Sequence, residues 1–230
     1  MTAVDVRRAA AGEFAGTAFL LAAVVGSGIM GERLAGGNVA IALLANALAT
    51  GAALVALIVT FGPVSGAHFN PLVTILTGPR GGGTGTMAAY VVAQLTGAVC
   101  GVVLAHVMFE APLVAWSTHE RSGLSQVISE AVATFGLIGV IVAGSRRTPA
   151  AVPFAVAAYI VAAYWFTAST SFANPAVTLA RALTDTFAGI RPADVPWFIV
   201  GQAAGGGLAA ALFGWLVPEA AGGAEAMPYK

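Results

Sequence analysis

The sequence predicts an all-α membrane protein in which six transmembrane helices and two half-helices form an inverted repeat. Two observations carry this prediction. Of the 230 residues, 58% are hydrophobic and only 9% are charged, which is typical of membrane proteins. The motif Asn-Pro-x-Val-Thr also occurs twice, at 70–74 and at 174–178. We therefore expect a single domain over 1–230, with repeats at about 9–108 and 124–217.

Six apolar stretches have the length of about 20 residues that crosses a bilayer. They are predicted at about 9–30, 39–61, 86–108, 124–144, 150–167 and 195–217. The first stretch follows Arg7 and Arg8, as a signal peptide would, but its length favours a retained helix over a cleaved signal. The surrounding lipid bilayer is the partner that these stretches imply.

Each copy of the repeated motif predicts the start of a half-helix. Pro71 and Pro175 suit first helical positions, where a missing N–H costs no hydrogen bond. Asn70 and Asn174 precede them as N-caps. Polar half-helices in such an apolar chain are expected only where protein surrounds them and a wet cavity borders them.

The duplication extends beyond the motif. Glu13 in the first stretch is matched by Glu130 in the fourth, and Gln94 in the third is matched by Gln202 in the sixth. Three spans per half give the two halves opposite topologies. The half-helices should then meet N-terminus to N-terminus near the midplane, each with a positive dipole end of about half a charge.

The distribution of Lys and Arg favours cytoplasmic N- and C-termini in the cell (inner) membrane. The cytoplasmic side would hold Arg7, Arg8, Arg80, Arg146, Arg147 and Lys230. The opposite side would hold Arg33, Arg121, Arg181 and Arg191. The polar loop 109–123 would then lie outside the cytoplasm.

Other function classes find little support in the sequence. A net charge of zero without a basic stripe argues against nucleic-acid binding. Cys100 is the only cysteine, which excludes an internal disulfide and a cysteine metal cluster. No catalytic set is present, so we expect neither an enzyme nor a cofactor or metal. A secondary transporter would need ligands for a coupling ion, and acidic residues are scarce near the midplane.

Six spans, an inverted repeat and two Asn-Pro-Ala-type half-helices together resemble the major intrinsic protein family, the aquaporins and aquaglyceroporins, over essentially the whole chain. The resemblance implies a passive pore for small neutral solutes and a homotetramer with one pore per chain. The second half-helix begins with Asn-Pro-Ala at 174–176, which matches the family pattern. The first copy has Leu72 in place of the usual Ala, which puts the local pore width in question.

The paired Asn side chains suggest how such a pore treats its solutes. Asn70 and Asn174 can each donate an amide N–H into the lumen while their carbonyl oxygens hold the half-helices. Solutes that carry oxygen suit these donors, whereas a cation or hydrated proton meets two positive dipole ends. The alternative is that both residues do no more than cap buried helices.

In the resembled family, four filter positions near the outer mouth set selectivity. They map to Thr50, Ala162, Ser171 and Val177, where most members have an aromatic residue at the first position and Arg at the last. The predicted constriction is wide, uncharged and weakly polar, open to polyols, urea-like solutes and undissociated metalloid acids as well as water. It is most similar to bacterial aquaglyceroporin-like channels associated with arsenic detoxification, for which methylated arsenicals are compatible solutes. A water-selective channel and a non-conducting structural homologue are the alternatives.

Four further polar residues invite a role. The resemblance implies that Glu13 and Glu130 brace the loops that carry the half-helices, with a proton relay as the rival role. His68 either lines the lumen or packs within its loop. Arg181 either forms an i,i+4 ion pair with Asp185 or supplies a charge at the outer vestibule.

Overall fold

The computed structural model describes residues 3–218, most of which lie in eight α-helices. The helices are α1 (Ala3–Leu34), α2 (Val39–Ser65), α3 (Pro71–Thr77), α4 (Thr84–Met108), α5 (Leu124–Arg147), α6 (Val152–Phe166), α7 (Pro175–Arg181) and α8 (Val195–Leu216). Short 3-10 turns at Pro149–Ala151 and Pro192–Asp194 lead into α6 and α8.

Six of these helices are long and apolar enough to cross a membrane, which confirms the predicted all-α architecture. They are α1, α2, α4, α5, and α6 and α8, each of the last two with its leading turn. Helix α1 is longer than its predicted span of 9–30, because the helix continues through the charged residues at both ends of the apolar stretch. The half-helices α3 and α7 have seven residues each.

The two halves of the chain pack alike, α1 against α4 and α5 against α8. Small residues at matching positions of α4 and α8 allow the helices to approach closely. A Cβ on Gly101 would lie 2.2 Å from the carbonyl oxygen of Ala18, and one on Gly205 would lie 1.9 Å from that of Ala131. Gly12 has no such constraint, since the atom nearest to an added Cβ is 3.4 Å away.

The half-helices meet at their N-termini in the middle of the molecule. Asn70 Oδ1 accepts a hydrogen bond from Leu72 N at 3.0 Å, and Asn174 Oδ1 accepts one from Ala176 N at 2.9 Å. Each side chain thus caps its own half-helix, as the Asn-Pro pattern predicts. From this junction α3 and α7 run in opposite directions, and the space beside them is the site described next.

Candidate channel and its selectivity residues

A cavity of about 570 Å³ runs past both half-helices. Arg181 borders one end of the cavity and Arg146 the other, and we refer to the Arg181 end and the Arg146 end. Most of the wall is apolar. Its apolar residues include Leu20, Val24, Leu54, Leu137, Ile141 and Val156.

Both Asn side chains of the repeated motif line the cavity and also join the two halves. Asn70 Nδ2 donates to the carbonyl oxygen of Ala173 at 2.8 Å, and Asn174 Nδ2 donates to that of Phe69 at 2.8 Å. An amide NH₂ group has two hydrogens, so each Asn keeps one donor for a solute in the cavity. Capping, crosslinking and solute binding therefore use different atoms of the same side chain.

Glu13 is fully buried and holds the loop that precedes α3. Its Oε1 accepts hydrogen bonds from Ser65 Oγ at 2.6 Å and His68 N at 3.0 Å. Its Oε2 accepts from Phe69 N and Gln94 Nε2, both at 2.7 Å. All four donors point to one carboxylate, which fixes the backbone just before the half-helix.

Glu130 repeats this arrangement in the loop that precedes α7. Its Oε1 accepts from Ser169 Oγ at 2.6 Å and Phe172 N at 2.9 Å. Its Oε2 accepts from Ala173 N at 2.8 Å and Gln202 Nε2 at 2.6 Å. Neither glutamate contributes to the cavity wall, so these contacts favour bracing over proton relay.

The braced loops have strained backbones. Ala67 and Phe69 in the first loop, and Thr170, Ser171 and Ala173 in the second, have φ between 49° and 60°. Non-glycine residues in this left-handed region cost about 1–3 kcal/mol each and persist only where surrounding contacts hold them. The two glutamates supply such contacts, and the loops can then line the cavity without forming helix or strand.

Three of the four predicted filter residues lie together at the cavity wall: Thr50, Ser171 and Val177. The assignment of Ala162 is wrong, because this residue is exposed on α6. Tyr164 lines the cavity instead, with its hydroxyl 3.3 Å from Thr50 Oγ1. The prediction assumed ungapped spacing to the motif, but the segment between α6 and α7 is irregular, so a residue count does not determine which face of α6 points to the cavity.

Arg181 lies in the wall of the cavity with only 2% of its surface exposed. Its guanidinium carbon is 3.4 Å from the centre of the Phe172 ring, and its Nε donates to the carbonyl oxygen of Ala188. The i,i+4 pair with Asp185 does not form. Asp185 Oδ1 accepts from the backbone N and the hydroxyl of Thr118, at 2.8 and 3.0 Å. The Arg181 end therefore carries a charge that the four predicted positions lack.

Leu72 does not narrow the cavity. It is half-buried, and α3 presents Val73, Leu76 and Thr77 to the cavity from another face. Ala176, its counterpart in α7, is buried and is likewise absent from the wall. The departure from Asn-Pro-Ala in the first motif is therefore a difference in helix packing.

His68 combines the two roles that the sequence left open. It lines the cavity, and its Nδ1 lies 3.1 Å from Thr74 Oγ1 within the same loop and half-helix.

Arg121 contacts Phe172, a residue of the cavity wall, and the sequence did not single it out. It comes from loop 109–123, and its Nε donates to the carbonyl oxygen of Gly189 at 2.8 Å. Its guanidinium also lies 5.0 Å from the centre of the Phe172 ring. Burial lowers the pKa of Arg121 to about 10, so it remains charged at neutral pH. A lone arginine in a polar loop gives no pattern from which this contact could be found.

Comparisons with known proteins agree with this architecture. The family model of the major intrinsic proteins matches residues 1–152. Aquaglyceroporin AqpS of Rhizobium meliloti is 51% identical over 221 residues, which are 96% of this chain and 94% of AqpS. Probable aquaporin TIP2-2 of Oryza sativa subsp. japonica is 33% identical over 218 residues, which are 87% of this chain and 84% of that protein.

Among solved structures, the aquaglyceroporin from Plasmodium falciparum superposes with a TM-score of 0.66, covering 90% of this chain and 93% of its own. At 20% sequence identity, this likeness shows the fold alone. The family model, the curated relatives and the paired half-helices lead to one conclusion. The chain belongs to the major intrinsic protein family, whose members are transmembrane channels and not enzymes.

Proposed function

We propose that the chain is a passive channel for small neutral solutes wider than water, such as glycerol-like polyols, as well as for water itself. The observation that carries the proposal is the cavity of about 570 Å³ that passes both half-helices and has Val177, not Arg, in its wall. The 51% identity to a protein named as an aquaglyceroporin supports the same solute class.

The polar groups of the cavity suit neutral solutes. Asn70 and Asn174 each keep an amide hydrogen for a passing oxygen, and two helix N-termini point to the same region. Among residues 3–218, the cavity wall contains no carboxylate that could bind a cation. A cation would lose its water without finding a ligand.

Undissociated metalloid acids and small methylated arsenicals belong to the proposed solute range because they are compact and rich in oxygen. Val177, Thr50 and Ser171 leave room for them in the wall, and Ser171 Oγ is buried without a protein partner. A water-selective channel and a non-conducting homologue are the alternatives that the experiment below separates.

The proposed setting is the cell (inner) membrane, with cytoplasmic termini, the Arg181 end outside and the Arg146 end inside. The distribution of Lys and Arg supports this orientation, although Lys230 lies outside the described residues. We also propose a homotetramer with one pore per chain. Exposed apolar side chains on the spanning helices would face lipid or neighbouring protomers, and they include Leu48, Val92, Phe154 and Leu208.

Substitution Val177→Arg tests the width of the proposed pore. A guanidinium at this position would fill space next to Arg181 and add a second charge. We expect glycerol permeability to fall by at least roughly tenfold, a barrier increase of about 1.4 kcal/mol, while water permeability falls much less. Stopped-flow light scattering of proteoliposomes, with water, glycerol, urea and a neutral metalloid acid, measures both.

Val177→Leu is the matched control, since it adds bulk without charge and should reduce glycerol flux only slightly. Equal losses for all solutes in Val177→Arg, or no loss for any, would show that the constriction lies elsewhere. A wild-type protein that passes water but not glycerol would establish the water-selective alternative.

A further inference from the structure

We propose that Arg181 determines charge selectivity at the Arg181 end of the cavity. Arg181 would supply the positive charge that is missing at position 177, where this chain has Val. The inference rests on the proposed function, because charge selectivity has meaning only in a conducting pore. Arg181 would be a specificity-determining residue, and the solutes that it rejects would be cations, including the hydrated proton.

The position of Arg181 fits this role. It lies four residues after Val177, at the last position of α7, and both side chains contribute to the cavity wall. Four residues are about one helical turn, so the two side chains occupy the same face of the half-helix. A solute that passes Val177 therefore also passes the guanidinium.

The guanidinium is held in a fixed orientation. Phe172 lies under it at 3.4 Å, and Nε is occupied by the carbonyl oxygen of Ala188. Within residues 3–218, the two terminal nitrogens of Arg181 make no hydrogen bond to protein. Their N–H groups are therefore available to oxygen atoms in the cavity.

Arg181 forms no ion pair with an acidic side chain among the described residues. The carboxylate of Glu130 attracts it from a distance, but that carboxylate is already held by four hydrogen-bond donors. Asp185 is engaged by Thr118, and Asp194 accepts hydrogen bonds from Arg121 N and Arg191. Arg121 approaches the same Phe172 ring at 5.0 Å and adds positive charge instead of cancelling it.

A buried charge without a paired counterion is costly unless something else solvates it. For Arg181 that solvent is the water or solute in the cavity. The same charge repels a cation that enters the Arg181 end of the cavity. Oxygen-bearing neutral solutes gain a hydrogen-bond donor there, so rejection of cations and passage of neutral solutes follow from one side chain.

The test compares Arg181→Gln with Arg181→Lys in proteoliposomes under an imposed membrane potential. Proton and potassium leak are measured with a pH-sensitive dye and a potassium electrode, and water permeability by stopped flow. We expect Arg181→Gln to raise proton leak at least roughly tenfold, whereas water permeability rises about twofold at most because the side chain is shorter. Arg181→Lys should restore most of the barrier, since it keeps the charge.

Arg191→Gln is the matched control. Arg191 is a partly exposed arginine that pairs with Asp194 at 2.9 Å and does not line the cavity. The proton leak of the Arg191→Gln protein should therefore equal that of the wild type. If Arg181→Gln fails to fold, Val177→Glu places a carboxylate one turn from Arg181 and should raise the leak, whereas Val177→Gln should not.

A folded Arg181→Gln protein with wild-type leak would overturn the inference, as would an Arg181→Lys leak as large as that of Arg181→Gln. In the fallback pair, equal leak through Val177→Glu and Val177→Gln would overturn it. None of these results would affect the proposed function, which fails separately if the wild-type protein conducts no neutral solute.

Discussion

Replacement of Glu130 by Ala is expected to lower the free energy of unfolding by roughly 2–6 kcal/mol, because two buried backbone N–H groups would each lose their acceptor. These N–H groups belong to Phe172 and Ala173, which lie 2.9 and 2.8 Å from the carboxylate. The strained φ angles of Ser171 and Ala173 would also lose their support. Thermal unfolding of the purified protein in detergent measures the change.

Glu13→Ala is the matched variant in the other half and should cost a similar amount, since Glu13 accepts the same number of hydrogen bonds. Glu120→Ala is the control. This carboxylate is exposed, 3.5 Å from Arg191, and exposed ion pairs contribute only about 0–1 kcal/mol. Wild-type stability in Glu130→Ala would contradict the bracing role.

Replacement of Gly205 by Ala is expected to prevent α8 from packing against α5. The new Cβ would lie 1.9 Å from the carbonyl oxygen of Ala131, and backbone atoms cannot move aside as a flexible side chain can. Overpacked cores lose about 1–3 kcal/mol when neighbours can shift, and we expect a larger loss here. Size-exclusion chromatography and thermal unfolding will show an aggregated or strongly destabilised protein.

Gly207→Ala is the matched control in the same helix, because an added Cβ there meets nothing within 4 Å. It should be neutral or stabilise the helix by about 0.5–1 kcal/mol. Equal melting temperatures for the Gly205→Ala and Gly207→Ala proteins would mean that α5 and α8 are not in backbone contact.

The repeated elements were predictable because each half of the chain supports the interpretation of the other. A single Asn-Pro pair marks a helix start, but two copies with matching Glu and Gln residues define an inverted repeat. The family resemblance implied the bracing role of Glu13 and Glu130, and in the structure each carboxylate accepts hydrogen bonds from four donors.

Three of the four predicted filter residues line the cavity, including Thr50 on α2. Ser171 and Val177 lie within four residues of Asn174, and both line the cavity. An irregular segment with left-handed residues lies between α6 and the second motif. Counting residues back from the motif therefore does not determine which face of α6 points inward. For this reason Tyr164, and not Ala162, reaches the cavity.

The surroundings of Arg181 were not predictable for a related reason. An ion pair with Asp185 assumes that the helix continues for another turn, but α7 ends at Arg181. The partners that replace it, Phe172 and Ala188, come from the segments before and after the half-helix. Contacts between such irregular segments leave no periodic signal in the sequence.

The most direct test of the central claim is glycerol flux through the purified wild-type protein in proteoliposomes without any ion gradient. A passive channel for neutral solutes predicts glycerol uptake well above that of empty liposomes, unchanged when sodium and proton gradients are imposed in either direction. Glycerol uptake equal to that of empty liposomes, or uptake that requires an ion gradient, would contradict the account.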